Sequence, residues 1–365
     1  MITPRRRARM GLSLAMGATL FLGACSSTSD EATQEEVAAG TSVADSTAVA
    51  PSSSAETEEY LHLPSTHPAS EAPAEDEMRV TLLGTGSPVP SATRYGMSTL
   101  VQAGGHNLIF DAGRGATVRL TQAGVPIGQI DGVFITHYHS DHVNGLSDLW
   151  MTGYVPAFGG REGAFNVYGP TGVEALVAGL RQAHNDDIAV RVADGELERD
   201  TTDIVAHEFD GEGVVFDQDG VTVTAFEVQH DPNNAIEPAM GYRVDYAGRS
   251  VLVSGDTVPN ENVIEYGTGI DLLIHEVAEF EDTSALPQVY AHHTNPRQAG
   301  EIFTEAAPRM AVYSHIVNGT SSDAPGVSDE ELERRTRETY DGPLVVGRDL
   351  MSFLLTEEDI DIYEP

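Results

Sequence analysis

Three imidazoles and a carboxylate crowd into the run Thr136-His137-Tyr138-His139-Ser140-Asp141-His142, and no other stretch limits the fold as much. The residues before it, Gly132-Val133-Phe134-Ile135, are β-branched and aromatic and read as a buried strand. Those after it, Val143-Asn144-Gly145-Leu146 and then Leu149-Trp150, read as the start of a helix. The cluster therefore sits on a strand-to-helix turn. Successive side chains of extended backbone point to opposite faces, so His137 and His139 share a face and can grip one ion. Asp141 and His142 lie past the bend and can face a second. Neutral imidazole nitrogen and carboxylate oxygen suit Zn²⁺ well and other divalent transition metals acceptably. A polar loop of solvated histidines is the plain alternative, and the density of donors on one turn argues against it.

Further donors arrive at the ends of later strands. Residues 221–228 alternate like a strand and deliver His230 just before Asp231-Pro232. Ser250-Val251-Leu252-Val253 runs into Ser254-Gly255-Asp256-Thr257. A carboxylate at a strand end can give one oxygen to each of two cations, although an Asx turn or a helix cap accounts for Asp256 in isolation. Residues 271–276 form a buried strand ending in His275-Glu276. His292-His293-Thr294 precedes a helix opened by Pro296, and residues 310–315 form a last strand ending in His315. Asp111, after a strand at 107–110, reads first as a helix cap and second as a partner to a metal-binding His. Strands at 79–83, 97–103, 165–168, 240–244, 343–346 and 351–355 alternate with helices at 171–184 and 330–340, which points to an α/β layered domain.

Composition bears on partners and destination. The formal net charge is -37, with 57 acidic residues against 20 basic ones, all of them Arg. Such a chain repels polyanions, which argues against nucleic acid as a partner. At the N-terminus, Arg5-Arg6-Arg7-Ala8-Arg9 precedes a short apolar stretch at 11–23, too short for a comfortable membrane span. The stretch ends in Leu22-Gly23-Ala24-Cys25, which resembles a bacterial lipobox. The implied arrangement is a signal peptide over 1–25, export, and a lipid anchor at Cys25 holding the protein to a bacterial membrane. Residues 26–77 are rich in Ser, Thr, Ala, Glu and Pro and read as a disordered linker, with His62 and His67 as solvated linker histidines. The folded domain is expected over 78–365.

The ordered set His-x-His-x-Asp-His at 137–142, His230, Gly255-Asp256-Thr257, His275-Glu276, His293 ahead of Gln298-Ala299, and His315 resembles the metallo-β-lactamase fold hydrolases, in the branch of ribonuclease Z and arylsulfatases. The likeness covers about residues 78–356. It implies an αββα four-layer sandwich and two Zn²⁺ ions. One ion would take His137, His139, His230 and Asp256; the other would take Asp141, His142, His315 and the same Asp256. Asp141 counts as catalytic as well as metal-binding. His293, paired with Glu276, would protonate the leaving group, with His292 left open as its rival. Only ten residues separate Arg243 from Ser254, where tRNA-processing members carry a long basic arm. The expectation is therefore an exported zinc hydrolase of small phosphodiester or sulfate esters that uses no nucleic acid, with a homodimer left open. The alternatives are a lactonase or β-lactam-type hydrolase, and a non-catalytic metal-binding lipoprotein.

Overall fold

The computed structural model describes residues 66–156, 160–231, 233, 236–282, 286–319 and 325–365. The expected signal peptide, Cys25, His62 and most of the linker lie outside the described residues. The chain first builds β1 (Met78–Gly84), β2 (Ser98–Ala103), β3 (His106–Phe110), β4 (Gly132–Phe134), β5 (Phe165–Pro170) and β6 (Ile204–Phe209). It then builds β7 (Gly213–Gln218), β8 (Val221–Glu227), β9 (Met240–Tyr246), β10 (Arg249–Val253), β11 (Leu272–Ala278), β12 (Met310–Val317) and β13 (Leu344–Val346). Finally β14 (Ser352–Leu355) and β15 (Ile360–Tyr363) return to the first group. The result is an eight-stranded sheet, β15-β14-β1-β2-β3-β4-β5-β6, and a seven-stranded sheet, β13-β12-β11-β10-β9-β8-β7. Pairing is parallel where helices intervene, from β3 to β6 and from β10 to β13, and antiparallel elsewhere. Parallel neighbours need a crossover, and the crossover helices cover the sheet faces.

Side-chain alternation sorts the strands into layers. Val80, Leu82, Leu108, Phe110, Val251, Val253, Leu272, Ile274 and Val312 point into one cluster between the two sheets. Their neighbours Leu83, Ile109 and Val133 point outward onto α1 (Ala116–Ala123), α3 (Leu146–Gly153) and α4 (Val173–Ala183), through Leu120, Trp150 and Val173. The short α2 (Ser140–Val143) and the later α5 (Asn185–Ala193) add Val143 and Ile188 to the same outer cluster. On the second sheet, Leu252, Leu273 and Tyr313 pack outward on α6 (Glu261–Gly267), α8 (Pro296–Ala306) and α9 (Asp329–Thr336), through Val263, Phe303 and Leu332. A one-turn α7 (Pro287–Tyr290) precedes α8. Strands that are apolar on both faces need a layer on each side, so the expected αββα sandwich follows.

The structure departs from the sequence reading at the edges. The ordered chain already includes residues 66–77. His67 is 5% exposed; its Nε2 lies 2.8 Å from the Leu350 carbonyl, and its Nδ1 accepts from Ala69 N–H at 3.1 Å. It is not a solvated linker histidine. The helix expected at 330–340 stops at Thr336 and buries Leu332 and Thr336. β6, β7, β15 and α5 were not anticipated, and most of their residues are partly or fully exposed, so no apolar run marks them.

Candidate metal centre

The site lies where β4, β8, β10, β11 and β12 end. After β4 the chain stays extended through His139, the N-cap of α2, and then bends so that Asp141 falls in the first turn and His142 in the last. Asp111 fixes this bend. Its backbone adopts a left-handed φ of 58°. One carboxylate oxygen accepts from Thr136 N–H at 2.8 Å, and the other accepts from the Thr136 hydroxyl at 2.8 Å and sits 2.7 Å from His142 Nδ1. The helix-cap role ranked first for Asp111 is not what it does, because Gly115 is the N-cap of α1.

Hydrogen bonds orient the imidazoles. A carboxylate and a carbonyl only accept, so His142 Nδ1–H donates to Asp111, and His230 Nδ1–H donates to the His292 carbonyl at 3.0 Å. The Thr136 hydroxyl gives its proton to Asp111, so His137 Nδ1–H donates to it at 3.0 Å. In each ring Nε2 is thereby the nitrogen left to face the site. His137 Nε2 and His142 Nε2 are buried and have no hydrogen-bond partner among the described residues. His139 differs, since its Nδ1 approaches His230 Nε2 at 3.2 Å.

Asp256 is the common point. Its Oδ2 lies 3.3 Å from His315 Nε2, 3.4 Å from His142 Nε2, 3.6 Å from His230 Nε2 and 3.9 Å from His137 Nε2. Its Oδ1 is buried and unpartnered. Gly255 makes the approach possible: its φ is +62°, and a Cβ there would lie 2.5 Å from the Met240 carbonyl. On the other side His315 Nε2 is 3.1 Å from Asp141 Oδ2. Donor atoms of His137, His139 and His230 fall within 4.8 Å of one another, as do those of His137, His142 and Asp256, and those of Asp141, His142 and His315. All seven predicted ligands therefore converge.

These residues fit a divalent metal. Buried lone pairs with nothing to accept are costly, and a cation among them satisfies several at once. Burial, followed by the neighbouring charges of His142, holds the His137 imidazole well below its usual range and so in the neutral form that ligates. Burial raises the pKa of Asp256, but the imidazoles of His315 and His142 override it and keep the carboxylate ionised.

His293 and Glu276 form an adjoining pair. Glu276 Oε1 accepts from Thr257 N–H at 3.2 Å, from Thr294 N–H at 3.1 Å, and from His293 Nδ1 at 3.2 Å. Burial disfavours charge on His293, but the Glu276 carboxylate outweighs it and lifts the imidazole to about 9. A ring nitrogen of His293 lies within 4.8 Å of donors on His230 and Asp256. His292 has a different place: its side chain is 37% exposed, its Nε2 is 3.7 Å from Asp231, and its carbonyl steers His230. His275 turns away into the core against Phe303. Sequence reasoning passed over Thr136, Thr257 and Thr294, whose backbone and hydroxyl groups fix the donors and carry no motif of their own.

Comparison with known proteins places this geometry. The beta-lactamase superfamily domain matches residues 106–316. A Mycobacterium bovis protein named ribonuclease Z is 33% identical over 279 residues, 75% of this chain and 96% of that protein. Human tRNase Z, short form, superposes with a TM-score of 0.57 at 22% identity, covering 75% of this chain and 98% of its own. The metallo-beta-lactamase fold protein YhfI from Bacillus subtilis gives 0.59 at 19% identity, over 77% and 100%.

Two expectations fall. Neither a small phosphate or sulfate ester as substrate nor the exclusion of nucleic acid agrees with relatives named ribonuclease Z at about a third identity over nearly their whole length. The short 243–254 connection misled because it is no mark of difference. The alignment spans 279 residues against 75% of 365, about 274, so no long arm separates the mycobacterial relative from this chain. Net charge misled because it sums a whole chain, whereas a substrate meets local charge.

Proposed function

We propose a function from one premise: the chain belongs to the metallo-β-lactamase superfamily. It is a metal-dependent phosphodiesterase that cleaves RNA, as its ribonuclease Z relatives do by name, with a tRNA precursor as the substrate to try first. The observation that carries the reading is the position of Asp256 Oδ2, in reach of imidazoles from both donor sets. Such sharing supports two ions, one held by His137, His139 and His230, the other by Asp141, His142 and His315, with Asp256 common to both. Bound divalent ions, zinc being the usual choice for these donors, supply Lewis-acid polarisation of a phosphoryl oxygen and an ionised water.

The protein's own groups do the rest. Asp111 and the His292 carbonyl hold His142 and His230 by Nδ1, so that Nε2 faces the site. Hydrolysis breaks one P–O bond and leaves an alkoxide that needs a proton. His293, kept protonated by Glu276, is the donor, and the neutral ring takes a proton back from solvent after turnover. Asp141 both binds metal and, as a carboxylate in the centre, accepts the proton of the attacking water.

Export and anchoring through Cys25 are a separate proposal, under which the RNA met in the cell lies outside the cytoplasm and pre-tRNA serves as the test substrate; it is supported by the Arg-rich start and the lipobox-like Leu22-Gly23-Ala24-Cys25. Palmitate labelling of the wild type and of Cys25→Ala tests the anchor. The function is tested with a pre-tRNA transcript carrying a 3′ trailer. Metal-dependent release of the trailer supports the reading; a metal-loaded protein that leaves the transcript intact overturns it.

A further inference from the structure

We infer that the cleft between residues 91–96 and the start of α1 is a second anion site, where Arg114 takes a phosphate of the RNA strand next to the one being cut. The inference rests on the RNA reading above.

The cleft has a volume of about 290 Å³ and is lined by Ser91, Arg94, Tyr95, Arg114, Gly115 and Val118 among others, with no carboxylate in its wall. In a chain with 57 acidic residues and 20 arginines this is a reversal of the general balance. Charge bookkeeping singles out one guanidinium. Arg94 is neutralised by Asp329, bound through both oxygens at 2.8 Å. Arg119, stacked 4.1 Å from the Tyr95 ring centroid, is neutralised by Asp349 at 2.8 Å. The Arg114 side chain is exposed and makes no hydrogen bond or ion pair among the described residues. Guanidinium is a preferred partner of phosphate because its planar donors meet two oxygens at once.

The cleft also adjoins the metal centre. Gly96 N–H donates to the Arg114 carbonyl at 3.1 Å, and a Cβ on Gly113 would meet the Asp141 carbonyl at 2.5 Å. The backbone bearing Arg114 thus packs directly on the turn bearing Asp141. A smaller cleft of about 70 Å³ shares Ser91 and Arg94 with the first and reaches Ile316, the residue after His315. Together they mark a track along which a strand could leave the centre, with Val118, 46% exposed, offering apolar surface to a base.

The test compares Arg114→Gln and Arg114→Glu with the wild type in the metal-loaded full chain. The probes are the pre-tRNA transcript, a short single-stranded oligoribonucleotide followed by fluorescence anisotropy, and bis-p-nitrophenyl phosphate; thermal melts check the fold. The expected result is a KM and Kd for RNA raised roughly threefold to tenfold, more for Glu than Gln, with the slope of log Kd against log salt reduced by about 0.7. Turnover of RNA falls at least several-fold more than turnover of the small diester. Wild-type and variant proteins with equal Kd and equal salt slope overturn the site, as do variants that lose both activities in parallel. A wild type that binds no RNA and leaves the transcript intact overturns the function reading itself, and the site with it.

Discussion

The Asp111 carboxylate lies 2.7 Å from Nδ1 of His142, although 31 residues separate them in sequence. Both are fully buried, and the same carboxylate pins the amide and hydroxyl of Thr136. One side chain therefore sets both the shape of the donor turn and the tautomer of a donor. Replacing Asp111 by Asn keeps an acceptor for Thr136 but removes the charge that accepts from His142. Metal affinity falls about 10- to 100-fold, and stability falls by roughly 2–4 kcal/mol. Competition with a chelator and urea unfolding measure the two losses. An unchanged metal affinity would remove Asp111 from the account.

The sequence made some of this legible and not the rest. The 137–142 run declares itself because its donors are consecutive. His230, Asp256 and His315 are ordinary residues at strand ends, and only the motif order groups them. The apolar strands that set the layers are equally plain, since Val80, Leu82 and their counterparts alternate with the pleat. Asp111 is legible only as the second of two readings, a partner of some metal-binding His, and His67 not at all, because the partners of both are chosen by tertiary packing. His67 finds its carbonyl 283 residues away.

His293 and Glu276 give a pH prediction. The His293 pKa is raised to about 9, so the charged form is present at neutral pH and is lost as pH climbs past that value. In its proposed role of proton donor it is expected to make kcat fall on the alkaline side. Glu276→Gln keeps acceptors for Thr257 and Thr294 N–H but removes the charge, leaving burial to lower the His293 pKa. The alkaline limb of the kcat profile then moves to lower pH. His293→Ala retains metal and loses about 10²–10⁴ in kcat. Loss of metal in His293→Ala would instead mark it as a ligand.

Gly255→Ala tests the approach of Asp256. The left-handed φ of +62° costs an alanine about 1–2 kcal/mol, and its Cβ would strike the Met240 carbonyl. The loop must shift, carrying Asp256 with it. Bound metal per chain falls in elemental analysis while the melting temperature drops by about 3–8 °C. Full metal content would show that Asp256 tolerates displacement.

Truncation tests where the fold begins. A protein starting at residue 66 keeps His67 on Leu350 and the Ala69 carbonyl on Gln102. One starting at residue 78 loses both contacts, together with the Pro68 and Glu71 carbonyls that accept from the Arg79 guanidinium. The shorter protein melts about 5 °C or more below the longer one. Equal melting temperatures would return residues 66–77 to the linker.

The central claim is that two donor sets sharing Asp256 hold a pair of ions. Crystals of the zinc-loaded protein, measured on both sides of the zinc absorption edge, test it directly. The account predicts two anomalous peaks about 3.5–4 Å apart, one beside His137, His139 and His230, the other beside Asp141, His142 and His315, with the Asp256 carboxylate between them. A single peak, or two that leave Asp256 uncoordinated, would contradict it.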